Sequence, residues 1–216
     1  MNKSIKHFLE DFNIIFWDFD GVIKDSLGEK TLAFEKLFSE CDENIITAIK
    51  NHHLQNGGLS RYEKIPIYLS WAGKPVNTSN IEKYSKNFSS IVKRSVINSP
   101  WVPGVQDYLK SNYNNKTFII VTATPRFEIC EILNELEIFN FFDKVYGSPI
   151  SKSDALRESM ERFQSKQENA IMIGDSKTDF EAAIKNNIFF ALRRSNHNQS
   201  LQKSLDCFKF KDFLNE

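Results

Sequence analysis

Residues 14 to 26 read Ile14-Ile15-Phe16-Trp17-Asp18-Phe19-Asp20-Gly21-Val22-Ile23-Lys24-Asp25-Ser26. Four apolar residues without alternation, stopped by an acid and followed by a glycine, predict a strand buried on both faces that ends in a loop. Three more runs repeat the pattern. Phe118 to Val121 stops at Thr122, Ala170 to Ile173 stops at Gly174-Asp175, and Ile188 to Leu192 completes the set. Between them, Arg126 to Glu137 carries Phe127, Cys130 and Leu133 at helical spacing, and Thr178 to Asn186 carries Phe180, Ala183 and Ile184. Short two-sided strands alternating with helices predict an α/β fold with a doubly wound, Rossmann-like parallel sheet, covered by helices on both faces.

In such sheets ligands bind beyond the carboxyl ends of the strands. The polar residues follow the apolar runs: Asp18 and Asp20 after the first, Thr122 and Thr124 after the second, Asp175 and Asp179 after the third. Residues far apart in the chain are thereby expected at one sheet edge.

The segment from 27 to 99 has a different texture. Lys30 to Ser39, Glu43 to Leu54 and Ile81 to Ile97 read as helices, with no buried strand among them. The expected organisation is an α/β core of residues 1–26 and 100–216 with an inserted all-helical cap of residues 27–99. Within the insert, Gly57-Gly58-Leu59-Ser60 reads as a loop, and Ser60 with Glu63 has capping-box spacing. Pro66 then predicts a short or kinked helix. Pro103-Gly104 restarts the core, and Arg193 to Ser200 reads as a polar loop.

The chain has 216 residues, 41% of them hydrophobic and 26% charged, enough for a core of ordinary size. Lys+Arg and Asp+Glu balance at 28 each, so no global field draws it to nucleic acid or to an anionic membrane. No apolar run approaches the roughly 20 residues of a membrane span, and Met1 to Asn13 lacks the apolar stretch of a signal peptide. A cytoplasmic monomer or weak homodimer is expected. Cys41, Cys130 and Cys207 lie far apart without CxxC spacing, and read as reduced thiols rather than zinc ligands.

The chemistry follows from the acids. A carboxylate can attack a phosphoester directly, provided a cation removes the repulsion between the two anions. Asp18, Asp20 and Asp175 offer oxygen ligands suited to magnesium. The two-residue spacing of Asp18 and Asp20 directs both to one side of an extended segment, so that one attacks while the other protonates the leaving oxygen. Thr122 can donate a hydroxyl hydrogen bond to the phosphoryl group and Lys152 a positive charge. Backbone N–H groups after Asp18 and Thr122, with Gly21 and Ala123 as supporting positions, can cradle the remaining oxygens, and Asp179 can orient Lys152 or a metal-bound water.

These motifs resemble the haloacid dehalogenase superfamily. Asp18 to Ser26 resembles its first motif, whose first Asp is the nucleophile, Thr122 its second, Lys152 its third, and Gly174-Asp175-Ser176-Lys177-Thr178-Asp179 its fourth. All four stand in the family's order, and the helical insert follows the first, as in the helical-cap members that include phosphoglycolate phosphatase and β-phosphoglucomutase. The third departs: Ser148 to Asp154 lacks the Lys-Pro pair common in relatives. The resemblance implies a Mg2+-dependent phosphatase acting on a small phosphorylated metabolite, a sugar phosphate or a phosphoglycolate-like acid, through an aspartyl-phosphate. The alternatives are a phosphomutase and a catalytically idle module. Asp20 disfavours dehalogenase and phosphonatase chemistry, whose enzymes lack the second Asp.

In the insert, Gly58 permits close backbone approach, and Arg61 and Lys64 stand one helical turn apart. They face either an anionic substrate or solvent. His52 and His53 are expected at the surface or capping a helix end.

Overall fold

The computed structural model describes residues 4–214. At its centre six strands, all parallel, lie in the order β3-β2-β1-β4-β5-β6. They are β1 (Ile14–Trp17), β2 (Thr117–Pro125), β3 (Lys144–Ser148), β4 (Ala170–Gly174), β5 (Phe189–Arg193) and β6 (Phe208–Phe210). The apolar runs are continuous because the sheet has a core on each face. Ile15, Trp17, Phe118, Ile120, Ile171 and Ile173 enter one, and Ile14, Phe16, Ile119, Val121, Ala170 and Met172 enter the other.

The first core is closed by α1 (Ile5–Phe8), α6 (Val105–Asn112) and α7 (Arg126–Glu135), the second by α8 (Lys152–Phe163), α9 (Lys177–Lys185) and α10 (Gln199–Ser204). Four helices occupy the chain between β1 and α6: α2 (Leu27–Leu37), α3 (Glu43–Gln55), α4 (Arg61–Trp71) and α5 (Thr78–Asn98). They pack on one another through Phe34, Ile49, Ile65, Tyr68, Leu69, Phe88 and Val92, and α5 also rests on α7. None of the helices is long and apolar enough to cross a membrane, among the described residues.

Several sequence expectations need correction. The second strand does not stop at Thr122 but continues to Pro125, with Thr122 and Thr124 in extended backbone. Two strands were unanticipated: β3 and β6 are the sheet edges, and Lys144-Val-Tyr-Gly-Ser148 and Phe208-Lys-Phe210 are too short and mixed to show the two-sided apolar signal. Phe127 and Ile184 are 61% and 56% exposed rather than on buried faces. The stripes that pack are Ile129, Ile132 and Leu133 on α7 and Ala182 and Ala183 on α9, a rotation of one or two residues.

Pro66 does not cut α4 short. The capping box between Ser60 and Glu63 forms as expected, and the helix runs 11 residues through the proline. Burial of Ile65, Tyr68 and Leu69 beside it outweighs the one hydrogen bond the ring removes.

Candidate active site

Register brings the acids together. Trp17 pairs with Ile120 on one side and Ile173 on the other, so β1 and β4 end at one level while β2 carries Thr122 past that edge and continues to Pro125. The strand order reverses between β1 and β4, which is where ligands enter doubly wound sheets. Asp18 sits there, 4% exposed, with its N–H donating to the Ile173 carbonyl (3.0 Å) and its Oδ1 accepting from the Phe19 N–H (2.7 Å).

Lys152 is the first residue of α8, whose start is capped by Ser151 Oγ accepting from the Asp154 N–H at 3.1 Å. Its ammonium reaches Asp18 Oδ2 (2.8 Å) and Asp179 Oδ1 (2.5 Å). Asp179, fully buried, stands in the first turn of α9. Its Oδ2 accepts from the Ser176 N–H (3.0 Å) and Ser176 Oγ (2.6 Å) in a capping box. Two helix starts thus fix the Asp18-Lys152-Asp179 chain. Of the two roles the sequence offered Asp179, at Lys152 or at a metal-bound water, the contact present is the one with Lys152.

Glycines make the crowding possible. Gly21 has φ +76°, and a Cβ there would overlap the Asp175 carboxylate. A Cβ on Gly174 would overlap Asp179 in the same way.

Asp18, Asp175 and Asp179 present oxygens within 4.8 Å of one another. This differs from the expected trio of Asp18, Asp20 and Asp175. The Asp20 side chain turns instead to Lys30 Nζ (2.5 Å), Ser26 Oγ (2.6 Å) and Thr124 Oγ1 (3.2 Å), because α2 delivers an ammonium to it. Burial alone would raise the Asp20 carboxyl. The Lys30 charge and the three hydrogen bonds outweigh it and hold the group below the ordinary carboxylate range.

The opposite balance holds at the other two acids. Burial raises Asp18 to about 7 against the pull of Lys152, with Asp179 and Asp20 adding repulsion. Burial, then the charges of Asp18 and Asp179, drives Asp175 well above its usual value. The Asp175 carboxylate has no hydrogen-bond or ion-pair partner among the described residues. Three carboxylates facing a single ammonium, one of them unpaired, form a donor set that fits a hard divalent cation with oxygen ligands.

Thr122, 2% exposed, lines the same crevice, where its Oγ1 accepts from the Thr124 N–H at 3.2 Å. Ala123 lines it too, and its carbonyl is held by Ser148 Oγ at 2.6 Å.

The helical insert forms the opposite wall. Gly58 abuts the start of α9 so closely that a Cβ would overlap Thr178 Oγ1 and Ser176 Oγ. Arg61 and Lys64 both line the crevice and are 5% and 2% exposed, so the solvent-facing alternative is excluded. Arg61 is not free for a ligand, however. Its guanidinium grips Glu128 on α7 through two bonds, at 2.8 and 2.5 Å, and Ser89 on α5 at 2.6 Å. His53 is also buried rather than superficial, and its Nδ1 lies 3.0 Å from Lys64 Nζ.

Sequence reasoning missed Lys30 and Glu128. Lys30 follows Ser26 at i+4, so both reach Asp20 from one helix face; that spacing was the available signal. Glu128 offered no such signal, because its partner Arg61 comes from α4, distant in the chain.

A doubly wound parallel sheet thus carries an acidic cluster at its switch point with a helical wall above it, the arrangement of an α/β ligand site. The chain belongs to the haloacid dehalogenase-like hydrolases, whose family model matches residues 14–192. No curated protein matches it. Among solved structures it shares its fold with a predicted phosphoglycolate phosphatase from Haemophilus somnus, at 19% identity and TM-score 0.74 over 94% of this chain and 95% of that one. The CbbY protein of Rhodobacter sphaeroides, solved as a mutant in complex with xylulose-1,5-bisphosphate, gives 13% and 0.76 over 94% and 95%. The β-phosphoglucomutase of Clostridium difficile gives 20% and 0.71 over 94% and 92%.

Proposed function

We propose that this hydrolase is a magnesium-dependent phosphatase acting on a small phosphate monoester, with Asp18 as nucleophile. The observation that carries the reading is the constellation of buried Asp18 and Asp179 and half-buried Asp175 around Lys152 at the switch point of the sheet. Names borne by proteins of the same fold, two of them phosphate-transfer enzymes and one complexed with a sugar bisphosphate, agree with it.

Asp18 and Asp175 would hold magnesium, which when bound supplies charge neutralisation at the nucleophile and the phosphoryl oxygens. Asp18 attacks phosphorus while the ester P–O bond breaks. The leaving oxygen takes its proton from the Lys30–Asp20 pair, whose N–H bridges the two groups at 2.5 Å. Asp20 then removes a proton from water, which attacks the aspartyl-phosphate and releases phosphate. Lys152 stabilises the Asp18 carboxylate, and Thr122 and the backbone at Ala123 bind phosphoryl oxygens.

The cavity between core and insert is about 30 Å3, room for a few waters and far below the ~300 Å3 of small ligand pockets. In this reading residues 27–99 are a cap that opens for substrate and shuts before chemistry. Gly58 against Ser176 and Thr178, and Arg61 against Glu128, are its closed contacts. A cytoplasmic location suits the chemistry.

Phosphate release from a panel of small esters, with magnesium and with chelator, tests this. Magnesium-dependent release is the expected result. Isomerised product without phosphate would instead indicate a mutase, and no turnover an idle module.

Magnesium should also stabilise the fold in a pH-dependent way. A carboxyl whose folded pKa is raised contributes stability below its unfolded pKa and loses it as pH climbs through the folded value, here about 7 for Asp18. A bound cation offsets that loss but competes with protons. The melting-temperature rise produced by magnesium should therefore be slight at pH 5 and grow through pH 7 to a maximum near pH 8. An equal rise at every pH would remove Asp18 and Asp175 as its ligands.

A further inference from the structure

Four cationic side chains line the crevice, and three are matched by acids: Lys30 by Asp20, Arg61 by Glu128, Lys152 by Asp18 and Asp179. Lys64 is the exception. It is 2% exposed, it lies over the Phe34 ring at 6.0 Å, and its one hydrogen-bond partner is the neutral acceptor His53 Nδ1 at 3.0 Å. No carboxylate lies within ion-pairing distance of it among the described residues.

The imidazole cannot supply the missing charge. Accepting from Lys64 at Nδ1 places the His53 proton on Nε2, which is buried, makes no well-formed hydrogen bond and lies near the Leu27 backbone. The pair therefore holds no negative charge, and the Nδ1 acceptor takes only one of the three ammonium N–H groups. Burial, followed by the nearby Lys30 charge, pushes Lys64 down to about 7, which is the strain of an ammonium lacking a counterion.

We propose that Lys64, oriented by His53, is the binding residue for a carboxylate on the substrate, so that the substrate is the phosphate monoester of a small hydroxy acid. The proposal rests on the phosphatase reading and narrows its substrate class. A carboxylate is acceptor-only and carries one charge, which matches a single ammonium. A second phosphate carries up to two charges, and with Arg61 committed to Glu128 the single Lys64 ammonium would neutralise only part of them. A sugar hydroxyl would not supply the negative charge that favours the Lys64 ammonium over the neutral amine. His53 is a positioning residue here, since it touches Lys64 and not the reacting atoms.

The test uses matched esters that differ in the acid: 2-phosphoglycolate against 2-hydroxyethyl phosphate, 3-phosphoglycerate against glycerol 3-phosphate, and 6-phosphogluconate against glucose 6-phosphate, with p-nitrophenyl phosphate as a generic substrate. For at least one pair, wild-type kcat/KM should favour the carboxylate by roughly 10- to 100-fold, the discrimination of a charged hydrogen bond. Lys64→Met should erase that preference, mainly by raising KM for the acid. Its melting temperature should equal or exceed the wild-type value, because an unmatched buried charge has been removed.

Preference for no carboxylate, with p-nitrophenyl phosphate still hydrolysed, would overturn the proposal and leave the phosphatase intact. Retained preference in Lys64→Met, or a large fall in its melting temperature, would overturn it too, the latter by making Lys64 part of the fold. Failure to hydrolyse any ester, p-nitrophenyl phosphate included, would remove the phosphatase reading and the proposal with it.

Discussion

Asp18→Asn is expected to abolish phosphate release while leaving the fold as stable as wild type or more so. The amide keeps the side chain's shape, and its Oδ1 can still accept from the Phe19 N–H, now at 2.7 Å. What disappears is the carboxylate proposed as nucleophile and one acid from a cluster of three, two of them buried and Asp175 half-buried. Lys152 keeps Asp179 as its partner at 2.5 Å, so no uncompensated cation is created. Relief of repulsion on Asp175, which Asp18 drives upward, acts in the stabilising direction. Loss of a covalent nucleophile costs on the order of 10^4-fold or more in kcat. Phosphate release on the best ester of the panel and a thermal melt decide the matter together. Near-normal turnover would remove Asp18 as nucleophile. Inactivity with a collapsed melting temperature would show instead that the residue holds the fold.

The fold was readable wherever burial is two-sided. Ile14–Trp17, Phe118–Val121 and Ala170–Ile173 are apolar at every position because each face of the sheet has its own core, and such runs have no other economical explanation at that length. The edges were not readable for the complementary reason. Val145 and Tyr146 of β3 do enter the two cores, but Lys144, Gly147 and Ser148 interrupt the apolar run, and β6 is only three residues long with two of them half-buried. The acidic wall followed from the strands, since Asp18 and Asp175 stand just past the ends of β1 and β4, and Thr122 lies beside them on β2 in the register of the sheet. The wall formed by the helical insert did not follow. Whether Arg61 meets substrate, solvent or Glu128 depends on how α4 lies against α7, a tertiary relation with no local signature.

The same limit explains the exchange of Asp20 for Asp179 in the acidic cluster. Strand geometry placed Asp18 and Asp20 on one side, and they do share a crevice. Their partners separate them: Lys152 arrives from α8 and Lys30 from α2, each ammonium claiming one acid. Opposite shifts follow, with Asp20 held low and Asp18 raised, and two like side chains acquire different chemistry from the helices that face them.

Lys152→Met is the variant in which stability and catalysis should fail together. The ammonium is 8% exposed and joins Asp18 to Asp179, side chains exposed by 6% and 0%. Those two negative charges raise the Lys152 pKa despite its burial, so it is charged throughout the neutral range. Methionine fills a similar volume but leaves two buried carboxylates facing each other, and breaking a buried pair from one side costs about 3–5 kcal/mol. For a chain of this size that corresponds to roughly 6–20 °C in melting temperature. The deficit should depend on pH. Without Lys152 the Asp18 carboxyl rises beyond about 7, and protons taken up on acidification relieve the repulsion, so the gap to wild type should narrow from pH 8 to pH 5. Magnesium should narrow it at pH 8 as well, by supplying positive charge to the same acids, yet without restoring turnover, because the metal cannot reproduce the 2.8 Å donor on Asp18 Oδ2. Thermal melts of both proteins at the two pH values, with magnesium and with chelator, read out each step. A variant as stable as wild type at pH 8 in chelator would mean that Lys152 is not the charge that holds these acids together.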